Sequence, residues 1–231
     1  RPVIKDLSVV PKQNLDILPE VYKINFYGRV FTSRGCPMSC SFCAETMWNR
    51  SKPRFFDLDY VMREVDELLT KMHVKYLFIN DENFVMKKEF SSELARQLSK
   101  YGVPWSCQTR VDLTDADLFK LMVKSNCQGI FYGAESGSQE VLDLNNKRIN
   151  LRQINDACKL AKRSGLQVTT NWLVGLAGET YSTAMETQSM AEELVTERLS
   201  DRLEYYIAVP YPGTPLYKNP DKFGITLRDI P

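Results

Sequence analysis

The sequence has almost no excess of charge, a single histidine and no long apolar run, and these shortages close off several classes of protein. Lys and Arg number 30 against 29 Asp and Glu, a formal net charge of +1 over 231 residues. Nothing in that balance marks a nucleic-acid binder or a protein drawn to acidic membranes. No stretch approaches the roughly 20 apolar residues that cross a bilayer, so no membrane association is expected. The first residues, Arg1-Pro2-Val3-Ile4-Lys5-Asp6, lack the apolar segment of a secretory signal, and there is no initiating Met. The expectation is a trimmed segment that works in the cytoplasm. What is present is an ordinary globular composition, 43% hydrophobic and 26% charged, in a chain long enough for one substantial core. Six cysteines in a chain of this length without a secretory signal are not expected to form disulfides.

The chain divides into an irregular lead-in over residues 1–28, punctuated by Pro2, Pro11 and Pro19, and a patterned core over residues 29–231. In the core, short β-branched and aromatic runs at 29–33, 76–80, 105–110, 129–133, 168–174 and 204–209 read as strands. Helical periodicity fills the gaps. Asp57 can cap a helix reaching Met72, and Gly102 can stop one carrying Phe90, Leu94 and Leu98. Thr114 and Asp117 resemble a capping pair, Asn150 and Gly165 bracket another helix, and a last helix spans about 183–197. Strand and helix alternating six times is the pattern of a parallel α/β sheet with right-handed crossovers. Six units are too few for a closed eight-stranded barrel. A doubly wound sheet would fit, and so would a partial (β/α)6 TIM-type barrel, which is the fold expected here. Either way, ligands belong at the C-terminal strand ends.

Three cysteines, Cys36, Cys40 and Cys43, fall within eight residues, in the loop after the first strand and thus at that functional end. Their spacing is Cys-x3-Cys-x2-Cys. A structural zinc site wants four ligands, and a cubane iron–sulfur cluster is usually held by four thiolates. Three close thiols leave one corner without a protein ligand, and His73, at the far end of a helix, is poorly placed to supply it. An open corner weakens a structural site and serves a catalytic one. The competing reading is a zinc knuckle completed by Cys107 or Cys127. Otherwise Cys107, Cys127 and Cys158 read as buried core thiols.

The triplet with Phe42, Cys-x3-Cys-x-aromatic-Cys, resembles the hallmark of the radical S-adenosylmethionine (SAM) superfamily. Further blocks extend the resemblance over nearly the whole chain. Phe78-Ile79-Asn80-Asp81-Glu82-Asn83-Phe84, Trp105 to Asp112, and Tyr132-Gly133-Ala134-Glu135-Ser136-Gly137-Ser138 are similar to the second, third and fourth strand segments of the cobalamin-linked subfamily. Gly175-Leu176-Ala177-Gly178-Glu179-Thr180 follows its Gly-Leu-Pro-Gly-Glu-Thr turn with Ala177 in place of proline, and Pro210 to Tyr217 matches the block after the sixth strand.

The resemblance implies a 4Fe–4S cluster on Cys36, Cys40 and Cys43, whose fourth iron chelates SAM, and Phe42 packed on the adenine. It implies SAM contacts among Asp81, Glu82, Asn83, Arg110, Glu135, Ser136, Lys147 and Gly175. Read on their own, Glu135 is a loop acid, Arg110 a salt-bridge partner of Asp112 or Glu135, and Lys147 a solvated lysine; Trp172 and Tyr206 are core or cavity aromatics. The implied activity is reductive cleavage of SAM to a 5′-deoxyadenosyl radical, fed by a flavodoxin- or ferredoxin-type donor. Its outcome would be C-methylation or a related radical transformation, with cobalamin as a further cofactor. A cobalamin domain before this segment and a C-terminal extension after it are expected to lie outside the chain. The alternatives are a cobalamin-independent enzyme of the methylthiotransferase kind, a non-catalytic zinc module, and a degenerate scaffold.

Overall fold

The computed structural model describes residues 3–12, 14–17, 27–48 and 52–227. The rest of the expected lead-in, including Pro2 and Pro19, lies outside the described residues. In chain order the elements are β1 (Tyr27–Val30), β2 (Ser33–Arg34), α1 (Glu45–Trp48), β3 (Arg54–Phe55), α2 (Leu58–Lys71), β4 (Tyr76–Ile79), α3 (Lys88–Ser99) and β5 (Trp105–Thr109). They continue with α4 (Ala116–Lys124), β6 (Cys127–Glu135), α5 (Gln139–Leu144), α6 (Leu151–Ser164), β7 (Gln167–Val174), α7 (Tyr181–Thr196), β8 (Arg202–Ile207) and α8 (Pro215–Lys218).

Six strands form one parallel sheet in the order β1-β4-β5-β6-β7-β8. Each strand pairs with the next long strand in the chain, and helices fill the crossovers. The sheet curves into a half-barrel, open between β1 and β8, as the partial (β/α)6 reading expects. Successive side chains on a strand point to opposite faces, and here the two faces differ. Leu77, Ile79, Trp105, Cys107, Ile130, Tyr132, Val168 and Trp172 are buried on the helix-covered face. They meet Val61 and Val65 of α2, Leu94 and Leu98 of α3, Phe119 and Met122 of α4, Ile154 and Cys158 of α6, and Leu194 of α7 in one core. On the concave face the registers align Phe78, Ser106, Gly129 and Gln167 in one layer, and Gln108, Phe131 and Thr169 in the next.

Helix ends follow local chemistry. Asn150 and Gln153 form a capping box at the start of α6, and Gly165 ends it in the left-handed conformation at φ 96°. Two expectations shift. The cap of α4 is Asp115, whose carboxylate accepts from the Leu118 N–H at 2.8 Å, in place of the Thr114–Asp117 pair. The expected first strand at 29–33 splits: β1 stops at Val30, and Ser33–Arg34 leaves the sheet to pair antiparallel with β3. The cause is Asp81 at the end of β4. Its carboxylate accepts from Thr32 N at 2.7 Å, Ser33 N at 3.1 Å and Ser33 Oγ at 2.8 Å, and from the Thr32 hydroxyl as well. These bonds divert the donors of residues 32 and 33 from a ladder. Of the lead-in, Leu7 and Leu15 are buried in the main core, and Lys12 and Asp16 pair with Glu67 and Lys71 of α2.

Candidate active site

Gly35, at φ 95°, turns the chain out of β2 into the cysteine loop. Cys36 and Cys40 are buried, and Cys43 is half-buried just before α1. The loop is clamped to the segment after α5. Ser41 donates through N and Oγ to the backbone and side-chain oxygens of Asn145, both at 2.9 Å, and Asn146 Nδ2 donates to the Ser39 carbonyl at 2.7 Å. N–H donors then approach the sulfurs. The backbone N–H of Met38 bonds Cys36 and that of Glu45 bonds Cys43. Asn83 Nδ2 donates to Cys36 Sγ at 3.0 Å, and an Arg110 guanidinium nitrogen stands 3.8 Å from Cys40 Sγ. Burial pushes the Cys36 thiol up, and it pushes Cys43 up to about 12. Losing the protons therefore requires compensating positive charge, which a bound metal cluster would supply.

A cavity of about 150 Å³ opens beside the three sulfurs. It takes in Phe42, Glu82, Asn83, Arg110, Glu135 and Lys147 from the expected set, with Cys36, Cys40 and Cys43. Glu82 is pushed up to about 7 by burial first and then by the neighbouring Glu45 and Asp81 charges. Glu135 ends β6 in the left-handed region at φ 68°, across a register shift that follows Gly133. A bulge of this kind re-aims a side chain. Its carboxylate accepts from Lys147 Nζ at 2.6 Å in a pair whose side chains are 12% and 6% exposed. Lys147 is thus buried and paired, not solvated. Arg110 makes the ion pair with Asp112, at 2.8 and 3.0 Å, and donates to the Lys147 carbonyl at 2.8 Å.

Three of the expected residues stay out of the cavity. Asp81 is committed to Thr32 and Ser33. The Ser136 hydroxyl pairs with Thr187 Oγ1 at 3.1 Å and accepts from Ser138 N at 3.1 Å. Gly175, at φ 86°, donates its N–H to Glu179 in the turn after β7. Trp172 is core, bonded to Thr170, while Tyr206 is half exposed and His73 exposed at the end of α2. Six further lining residues escaped the sequence reading: Met38, Gln108, Thr109, Phe131, Gly133 and Asn171. A signal for Gln108 and Asn171 existed, because a polar residue interrupting a parallel strand needs a reason.

The chemistry of the donor set fits a cluster and a polar ligand. Asn83 Oδ1, Thr109 Oγ1 and Asn171 Oδ1 are buried, line the cavity and have no partner in the protein. Buried polar atoms in that state want a ligand that carries donors. A Cβ at Gly133 would run into Glu135 and stand 3.0 Å from Lys147 Nζ, so the bare backbone keeps that wall open. Among the described residues, no three His, Cys, Asp or Glu side chains converge on a point that could hold a single metal ion. Among the described residues, no helix is long and apolar enough to cross a membrane.

Comparison with known proteins points the same way. The chain is 29% identical over 223 residues to an uncharacterized methyltransferase of Pyrococcus horikoshii, covering 94% of this chain and 48% of the relative. It is 30% identical over 190 residues to the anaerobic magnesium-protoporphyrin IX monomethyl ester cyclase of Rubrivivax gelatinosus, covering 80% of this chain and 33% of that one. The fold matches the radical SAM methyltransferase TsrM of Kitasatospora setae, solved with cobalamin and a [4Fe-4S] cluster, at a TM-score of 0.74 and 18% identity over 91% of this chain and 39% of that one. The chain therefore spans about half or less of the length of these three proteins. The family model for the radical SAM superfamily matches residues 30–191, from the end of β1 into α7, and takes in the cysteine loop, the Asn83 turn and the Glu135–Lys147 pair: the chain belongs to the radical SAM superfamily.

Proposed function

We propose that this chain is the catalytic core of a radical SAM enzyme that methylates carbon or carries out a related radical transformation. Cys36, Cys40 and Cys43 would hold the 4Fe–4S cluster, and SAM would occupy the adjoining cavity. One observation carries the reading: three clustered sulfurs supplied with N–H donors border a cavity whose orphaned polar atoms call for a donor-bearing ligand. Held by Cys36, Cys40 and Cys43, the cluster would supply the one-electron chemistry that splits SAM into methionine and a 5′-deoxyadenosyl radical, with a flavodoxin- or ferredoxin-type protein as the electron source.

The protein's part is to bind, orient and exclude water. Asn83, Thr109 and Asn171 offer oxygens to an ammonium or to hydroxyl groups, and Glu135, held by Lys147, offers a carboxylate for a charge-assisted bond. The Phe42 ring supplies an apolar wall for a base. Arg110, pinned by Asp112, holds positive charge near Cys40 and Cys36 and offsets thiolate charge. Asp81, Ser136 and Gly175 support the loops from behind. The similarity to enzymes named methyltransferases, one of them solved with cobalamin, supports methyl transfer with cobalamin as a further cofactor.

The test is anaerobic reconstitution with iron and sulfide, followed by assay of 5′-deoxyadenosine released from SAM under dithionite. We expect a brown protein with about four irons per chain. Release should fall to the buffer background in the C36A/C40A/C43A variant. SAM cleavage that survives the triple substitution would overturn the assignment.

A further inference from the structure

We propose that Asn83 is a positioning residue that sets the electron affinity of the cluster and ties it to the occupancy of the ligand cavity. The inference rests on the reading that Cys36 ligates the cluster. Asn83 is 2% exposed and stands between β4 and the 3-10 turn Phe84–Met86. Its side chain does not cap that turn. The neighbouring Phe84 ring is locked edge-on against Trp105 at 5.6 Å, which fixes the backbone that presents the amide. The two ends of the amide have different duties. Nδ2 donates to Cys36 Sγ at 3.0 Å, while Oδ1 is buried at the cavity wall without a partner.

Two general effects follow from this placement. A hydrogen bond to a cluster sulfur stabilises the reduced cluster, which carries one more negative charge, over the oxidised one and so raises the reduction potential. An amide that accepts a bond at its oxygen becomes a better donor at its nitrogen. A ligand ammonium on Oδ1 therefore strengthens the bond at Cys36 and raises the potential further. By linkage, the reduced cluster then holds that ligand more tightly than the oxidised cluster does. The step concerned adds one electron from an external reductant to the cluster, with no proton or bond transferred.

The experiment is an EPR-monitored redox titration of the reconstituted full-length protein with dithionite, with and without S-adenosylhomocysteine as an uncleavable amino-acid-bearing ligand. N83L removes both ends of the amide, and N83D keeps its shape and oxygen but loses the N–H. Both variants should show a more negative midpoint. At the potential that half-reduces the wild-type cluster, the reduced fraction should drop several-fold. The shift caused by S-adenosylhomocysteine should shrink in N83L. A merely structural role would lower the amount of cluster without moving the midpoint of clusters that form, and unchanged midpoints overturn the proposal. Should neither variant hold a cluster, the wild type decides. Pulsed EPR of its reduced cluster, with 15N-asparagine incorporated, should show hyperfine coupling from a side-chain amide, and no such coupling also overturns it. A wild type that binds no four-iron cluster counts against the proposed function instead.

Discussion

The helix-covered face of the sheet and its concave face are built from alternate residues of the same strands, yet their chemistry differs. Outward, Leu77, Ile79, Trp105, Ile130, Val168 and Trp172 are fully buried, and even the indole N–H groups are matched: Trp105 bonds the Ser125 carbonyl at 2.8 Å and Trp172 bonds Thr170 Oγ1 at 3.1 Å. Inward, Phe78, Gln108, Phe131 and Asn171 are only half-buried, Asn171 leaves an oxygen unpaired, and β6 ends on the left-handed Glu135. The outward face has settled its interactions. The inward face holds polar atoms and backbone strain open, which is the state of a surface waiting for a ligand.

Neighbouring substitutions on β6 test this contrast most strongly. I130A should cost about 4 kcal/mol of stability through the lost burial and the cavity left behind. F131A should cost about 1 kcal/mol, mainly the edge-on contact with Phe78 at 5.2 Å. It should nonetheless weaken SAM binding and slow 5′-deoxyadenosine release. Urea denaturation beside the cleavage assay separates the two, and equal stability losses would erase the distinction between the faces.

A smaller effect is expected where the inward face contains a paired charge. K147M leaves the Glu135 carboxylate buried without its partner and should cost about 3 kcal/mol. The E135Q/K147M double variant should recover most of that stability but not ligand affinity. A thermal-shift series with added SAM reads both quantities. If the double variant also regains the ligand-dependent shift, the pair belongs to the scaffold and not to the site.

The smallest change concerns an outward strand residue that breaks the rule of satisfied polarity, in register with Thr109, whose Oγ1 is also unpartnered. The Tyr132 hydroxyl is buried without a partner. Y132F should therefore be neutral or stabilising by up to about 1 kcal/mol. A loss of stability in calorimetry would reveal a hydrogen bond at that hydroxyl and remove the exception.

Much of this architecture was legible because periodicity reports burial. Val61 and Val65, Leu94 and Leu98, and Ile154 and Cys158 repeat at helical spacing and lie in the core. The cysteine spacing was equally direct, since three cysteines this close in sequence must be close in space. What spacing cannot report is pairing over distance. Asp81 was expected to contact the ligand because its block resembles the family's second-strand segment, but its partners, Thr32 and Ser33, lie 49 and 48 residues earlier. Short elements escaped for another reason. The four residues of α1, the six of α5 and the two-residue β2 and β3 are too brief to show a period. Gln108 and Asn171 were hidden by their strands, whose hydrophobic outward residues dominate the pattern.

The pleat of β5, β6 and β7 has a consequence for how new reactions can arise on this scaffold. Ser106, Gln108, Phe131, Thr169 and Asn171 share the concave wall while residues between them carry the core. Replacing a wall residue alters what the hollow will accept but leaves the adjoining core contacts in place. Selectivity can thus wander one side chain at a time without the chain losing its shape.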